Sequence, residues 1–187
     1  DISSARTASN QSRADMEVQW LDHLGEGRWS KLSAQCRKYL LSADIQWSKN
    51  SRDFCKGIEN WGGISVDYAL AVESELETRL APVFGTQQYF NYCLSQQRKP
   101  EAKPTLGTFI KLLRDFKKLP HELQQLIVLA EMRCQDNEYL LQKLEKLHHL
   151  RNTATHPHEF GPVHYTKLKD LVFKMMPDLA DAVGAKP

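Results

Sequence analysis

Apolar residues recur along most of this chain at steps of three and four, the spacing that lines them up on one face of an α-helix. Met16, Trp20 and Leu24 form the first such series, and Trp29, Leu32, Cys36 and Leu40 the second, with Gly25 and Gly27 interrupting them. From Ser42 to Gly63 the pattern is more broken: Trp47, Phe54, Ile58 and Trp61 stand as isolated anchors before an expected stop at Gly62-Gly63. Ser65 is placed to cap the next helix. Its stripe is Tyr68 or Ala69, Val72, Leu76 and Leu80, and Gly85 is the expected end.

The interval Pro100 to Pro104 is a clear break, after which Thr105 caps a short helix carrying Leu106, Phe109, Ile110, Leu113 and Phe116. Pro120, tolerated in a first helical turn, opens another with Leu123, Leu126, Ile127, Ala130 and Met132. Asp136 or Asn137 caps the cleanest stripe of all, Leu140, Leu144, Leu147, Leu150 and Ala154, which Pro157 ends. A last helix from about His164 carries Leu168, Leu171, Val172 and Met175 and is expected to fade at Pro177. No segment alternates with period two for long enough to compete, so the expectation is all-α, a bundle of about five to seven helices.

Composition adds little to this and removes some alternatives. A chain of 187 residues with 41% hydrophobic content can bury a core without disulfide or metal staples. Residues 1–14, rich in Ser, Ala, Asn and Thr, read as a loose tail or linker, 15–180 as a single domain, and 181–187 as a second tail. The longest uninterrupted apolar run, Leu126 to Ala130, is far short of the roughly 18 residues a membrane span needs, so no membrane association is expected. Cys36, Cys55, Cys93 and Cys134 are widely spaced with no CxxC pair, as in chains of a reducing, cytoplasmic compartment with free thiols. The first residues carry no basic stretch followed by an apolar core, so no secretory leader is expected. The chain starts at Asp1, which suits a piece of a longer protein, and a neighbouring domain is kept open.

The net charge of +2 names no partner, but its distribution is uneven. Between Arg98 and Lys118 seven basic residues face only Glu101 and Asp115. Lys111, Arg114 and Lys118 fall on one helical face that could follow a phosphate backbone, or be an ordinary solvated surface. Catalytic signatures are mostly missing. There is no GxGxxG, no GxxxxGK[ST] and no GxSxG, and after His121-Glu122 the second zinc ligand of an HExxH string is replaced by Gln125. His148, His149, His156, His158 and His164 cluster in sequence, yet Glu159 is the only evident partner for a metal, and exposed histidines at a helix end are the preferred reading. No metal site and no cofactor are expected.

One string stands apart, Arg151-Asn152-Thr153-Ala154-Thr155-His156. Asn152 and His156 are four residues apart and share a helical face, with Arg151 about 100° around the axis. The arrangement sets a polar collar directly after the leucine stripe. His156, at a helix C-terminus, suits proton transfer near neutral pH. Arg151 offers a permanent planar cation for phosphate oxygens, and Asn152 can orient a side chain or a substrate oxygen. The trio suits phosphodiester cleavage through a ribose 2′-hydroxyl. Ordinary C-capping by Arg and His is the alternative.

These residues resemble the mark of the HEPN family, α-helical domains of prokaryotic toxins, CRISPR-associated ribonucleases and other defence effectors: Arg, a polar residue, three variable residues and His, closing a late amphipathic helix. Arg151, Asn152 and His156 match it at the right spacing; the 65–80 segment, with Ala69 and Glu73, is similar to the family's earlier long helix, and 105–116 to its short one. The likeness covers about residues 40–180 and is specific only near 140–157. It implies a metal-independent endoribonuclease, working as a homodimer whose two motif helices form one composite cleft. Arg151 would stabilise the transition state, His156 would move protons, Asn152 would orient His156 or bind across the dimer, and Glu73 would hold Arg151. RNA is the implied partner, with a regulatory domain or protein such as an antitoxin or sensor. The alternative is a non-catalytic HEPN module serving as a dimerisation surface, nucleotide-binding domain or assembly scaffold. A third reading is an α-helical nucleic-acid-binding domain without chemistry, which rests on the basic segment alone.

Overall fold

The computed structural model describes residues 2–52, 61–100, 104–154 and 162–184, with side chains over 13–48, 66–100, 104–153 and 163–184. Nine α-helices and no strand lie among them. The first four are α1 (Ile2–Leu24), α2 (Glu26–Lys31), α3 (Ala34–Arg52) and α4 (Trp61–Phe84). Then come α5 (Gln87–Ser95), α6 (Leu106–Arg114), α7 (His121–Leu129), α8 (Glu138–Ala154) and α9 (Pro162–Ala182). Single 3-10 turns at Phe116–Lys118 and Cys134–Asp136 join α6 to α7 and α7 to α8. No helix among the described residues is long and apolar enough to cross a membrane.

The all-α bundle is the architecture the three- and four-residue spacing predicts. Its centre is α4, which packs against α3, α5, α6, α7, α8 and α9. The stripe Tyr68, Ala69, Val72, Leu76 and Leu80 is fully buried, as are Leu140, Leu144 and Leu147 of α8. Each such leucine contributes about 1.5–3 kcal/mol by leaving water. The small residues Ala43 on α3 and Ala69 and Ala71 on α4, all fully buried, leave room for close helix approach.

Several boundaries depart from expectation. Residues 2–14, read as a tail, form the first part of α1. Helix α4 starts at Trp61, so Gly62, Gly63 and Ser65 lie within it and do not delimit it. Helix α5 was not expected, because Tyr89 and Cys93 face the core while Phe90 and Leu94 face solvent, which blurs its stripe. Thr86 caps it by accepting the Tyr89 N–H at 3.3 Å. The caps at Thr105 and Asn137 are where the sequence puts them, Asn137 Oδ1 taking the Leu140 N–H at 3.0 Å.

At the far end α9 runs through Pro177 to Ala182, and Val183 is buried and bridged to Met132, so the folded chain passes residue 180. A proline cannot donate to the carbonyl four residues earlier. That carbonyl, of Phe173, instead accepts from His23 Nε2 of α1 at 2.8 Å, with the His23 ring stacked on the Phe173 ring at 3.5 Å. The buried Lys143 adds a second support here, donating to the Lys174 carbonyl at 2.9 Å and to Asp178 at 2.8 Å.

Carboxylates on α4 also fasten other helices by their first turns. Glu75, fully buried, accepts the Ser33 N–H at 2.7 Å, and the Ser33 hydroxyl in turn accepts the Cys36 N–H at 3.1 Å, so the start of α3 is held. Glu73, on the opposite side of α4, does the same for α6. Both use the unpaired N–H groups that open every helix.

Candidate functional site

The end of α8 meets the start of α6 beside Glu73. Glu73 Oε1 accepts the Leu106 N–H at 3.0 Å, and Oε2 accepts from Arg151 Nη2 at 3.3 Å. One carboxylate of α4 thereby ties α6 to α8, and it is the contact with Arg151 that the sequence suggested. The Arg151 side chain is 28% exposed, and its Nε is buried with no partner among the described residues. The guanidinium is therefore anchored to α4 through Nη2, with its side chain partly exposed at the end of α8.

Next to it, the Asn152 amide lies 3.2 Å from His148 Nε2 one turn earlier on α8. His148 rests on the first turn of α6 because residue 107 is glycine: a Cβ there would come within 2.9 Å of His148 Nε2. Arg151, Asn152, His148 and Glu73 thus form one patch. His156, with Thr155 and His158, lies outside the described residues, as do Cys55 and Glu159.

Of the three cations expected to follow an RNA backbone, two are engaged elsewhere. Arg114 pairs with Glu145 of α8, and Lys118 pairs with Asp115 at 3.4 Å. Lys111 makes no ion pair among the described residues and borders a cleft of about 390 Å³ between α5 and α6. Arg98, Lys99, Tyr92 and His148 also line this cleft. The Tyr92 hydroxyl is pushed above its ordinary pKa, first by burial and then by the nearby Asp115. Sequence reasoning gave His148 no role beyond a histidine at a helix end. The signals were its four-residue step to Asn152 and the glycine just inside a threonine-capped helix.

Other chemistry is quiet. Among the described residues no group of three or more His, Cys, Asp or Glu gathers in a way that could hold a metal ion. Cys36, Cys93 and Cys134 are buried free thiols. Burial pushes the Cys134 thiol up to about 12 and raises that of Cys36 as well, which keeps both protonated and unreactive.

Another buried charge lies at the opposite side of α4. Asp44 of α3 accepts from Trp20 Nε1 at 2.6 Å and from the Tyr68 hydroxyl, and pairs with Lys169 Nζ at 3.2 Å. Lys169 lies over the Trp47 ring at 5.6 Å, and Trp47 is stacked on Tyr165 at 4.5 Å. Burial, then the Asp44 charge, raises the Tyr68 phenol; burial also raises that of Tyr165. Compared with protein-family models, with curated proteins and with solved structures, the chain matches none of them.

Proposed function

We propose that this chain is a metal-independent endoribonuclease of the HEPN type, acting on RNA in the cytoplasm as a homodimer under the control of a further domain or partner protein, in the manner of a toxin or antiviral effector. The observation that carries the reading is the Glu73–Arg151 pair: a guanidinium held at the end of α8, five residues before His156, with part of its donor set still uncommitted. In this mechanism the ribose 2′-oxygen attacks the adjacent phosphorus while its proton passes to a base, and the bond to the 5′-oxygen breaks as that oxygen is protonated. His156 serves one or both proton transfers, and Arg151 stabilises the charge that grows on the phosphoryl oxygens. Asn152 orients the site. The products are a 2′,3′-cyclic phosphate and a 5′-hydroxyl. An isologous dimer would bring two such helix ends together.

Incubating the purified chain with mixed RNA in EDTA tests this. Cleavage that leaves cyclic phosphate ends and disappears in His156→Ala is the expected result; an inactive wild type across salts and dimer-promoting concentrations overturns it. One observation favours the alternative, a non-catalytic HEPN scaffold. Glu73 joins Arg151 to the Leu106 N–H, so Arg151 has a structural use in tying α4, α6 and α8 whether or not it meets a phosphate.

A further inference from the structure

The cleft between α5 and α6 has three properties that point to one ligand chemistry. It is lined by Arg98, Lys99 and Lys111, all exposed and none of them in an ion pair among the described residues. Its one described carboxylate, Asp115, is already paired with Lys118. Clustered cations without an ion-pair partner among the described residues favour an anion from outside. Aromatic residues line it as well: Tyr89, which is buried, and Tyr92, which is half-buried. At about 390 Å³ the space is at the lower end of small-ligand sites, and too small for a paired duplex step. Its remaining side is His148, whose Nε2 is 3.2 Å from the Asn152 amide. Whatever occupies the cleft therefore lies directly beside the Arg151–Asn152 patch.

We propose that this cleft holds one unstacked nucleotide of single-stranded RNA, its base against Tyr92 and its phosphate on Arg98, Lys99 and Lys111, next to the phosphate that is cut. The inference rests on the ribonuclease reading for its neighbour, but not for its own test. It makes the enzyme selective for single strands, since a paired base cannot leave its stack to enter without losing its partner. It also places the RNA path on the α5 side of α6, away from Arg114, which pairs with Glu145, and from Lys118, which lies beyond the end of α6 in the 3-10 turn Phe116–Lys118.

The test is binding of a dye-labelled, fully 2′-O-methylated RNA ten-mer, followed by fluorescence anisotropy across a series of salt concentrations. Without a 2′-hydroxyl the probe cannot be cut, so binding is read apart from activity. The wild type should bind the single strand at least about tenfold more tightly than the same strand in a duplex. Lys111→Ala and Arg98→Ala should each flatten the slope of log affinity against log salt by about 0.7. Tyr92→Leu should weaken binding about tenfold and leave that slope unchanged. Because Tyr92 also touches the core, the two exposed cation variants keep the test independent of its folding. Single-strand binding that is absent, equal for duplex, or indifferent to both cation variants overturns the proposal, even if RNA is still cleaved. Intact binding with this pattern in a protein that never cleaves RNA would support the cleft and remove the nuclease.

Discussion

At Asp44, donors from three other helices converge on one carboxylate: Trp20 from α1, Tyr68 from α4 and Lys169 from α9. At Glu73 the carboxylate receives the Leu106 N–H and Arg151, and the arginine's buried Nε has no partner among the described residues. Both sites place charge out of water, at a cost that only full pairing offsets. At the first, Trp20, Tyr68 and Lys169 all converge on the one carboxylate. The second is tied to α4 and α6, with His148, Asn152 and a basic cleft alongside. A saturated polar cluster secures helices; one left partly unsatisfied is available for a ligand. That difference, more than burial, separates framework from candidate site in this molecule.

The comparison breaks most readily at Asp44. Asp44→Ala strands the Trp20 N–H, the Tyr68 hydroxyl and the Lys169 ammonium, and should cost about 3–5 kcal/mol in denaturant unfolding. Its loss of RNA cleavage should only follow the folded fraction. A loss of stability below about 1 kcal/mol would mean the cluster is not the framework described.

Alkali sharpens the same point. The folded-state pKa of Tyr68 is raised, so its contribution is complete below the unfolded value near 10 and falls as pH rises above it. Each pH unit above about 10 should remove up to about 1.4 kcal/mol for Tyr68, with Tyr165 acting in the same direction. Absorbance at tyrosinate wavelengths should show two slow phenols that ionise only as helical circular dichroism is lost.

Glu73→Gln should have the smallest effect on stability, about 1–2 kcal/mol, because the amide oxygen still accepts the Leu106 N–H. Its effect on cleavage should be disproportionate, roughly ten- to a hundredfold, as Arg151 loses its anchoring charge. Equal, small losses at both levels would make the Glu73 site framework too.

Much of this was legible in the chain. The stripes of α4, α6 and α8 are regular because each helix buries one face, and Thr105 and Asn137 announce the caps. The Glu73–Arg151 contact was suggested only by the resemblance, which places Glu73 on an earlier long helix beside the motif; no spacing within one helix points to it. Other features were hidden for stated reasons. Gly62 and Gly63 look like a stop, yet α4 runs through both, since local propensity is a weak guide. The cleft combines α5, a loop and α6, and no periodicity within one helix can reveal a space between two. Lys111, Arg114 and Lys118 were expected on one helical face, but α6 ends at Arg114 and Lys118 lies in the following 3-10 turn, while Arg114 and Lys118 take the partners Glu145 and Asp115.

Pro177 looked like a terminus, and the reason it is not one has a further consequence. The missing rung of α9 is supplied by His23, so this joint is splinted from another part of the chain, 150 residues away. When α1 lifts off, Phe173 loses both its acceptor's partner and its stacked ring, and water gains entry to the middle of α9. Displacing α1 would therefore be expected to loosen α9 at this one joint.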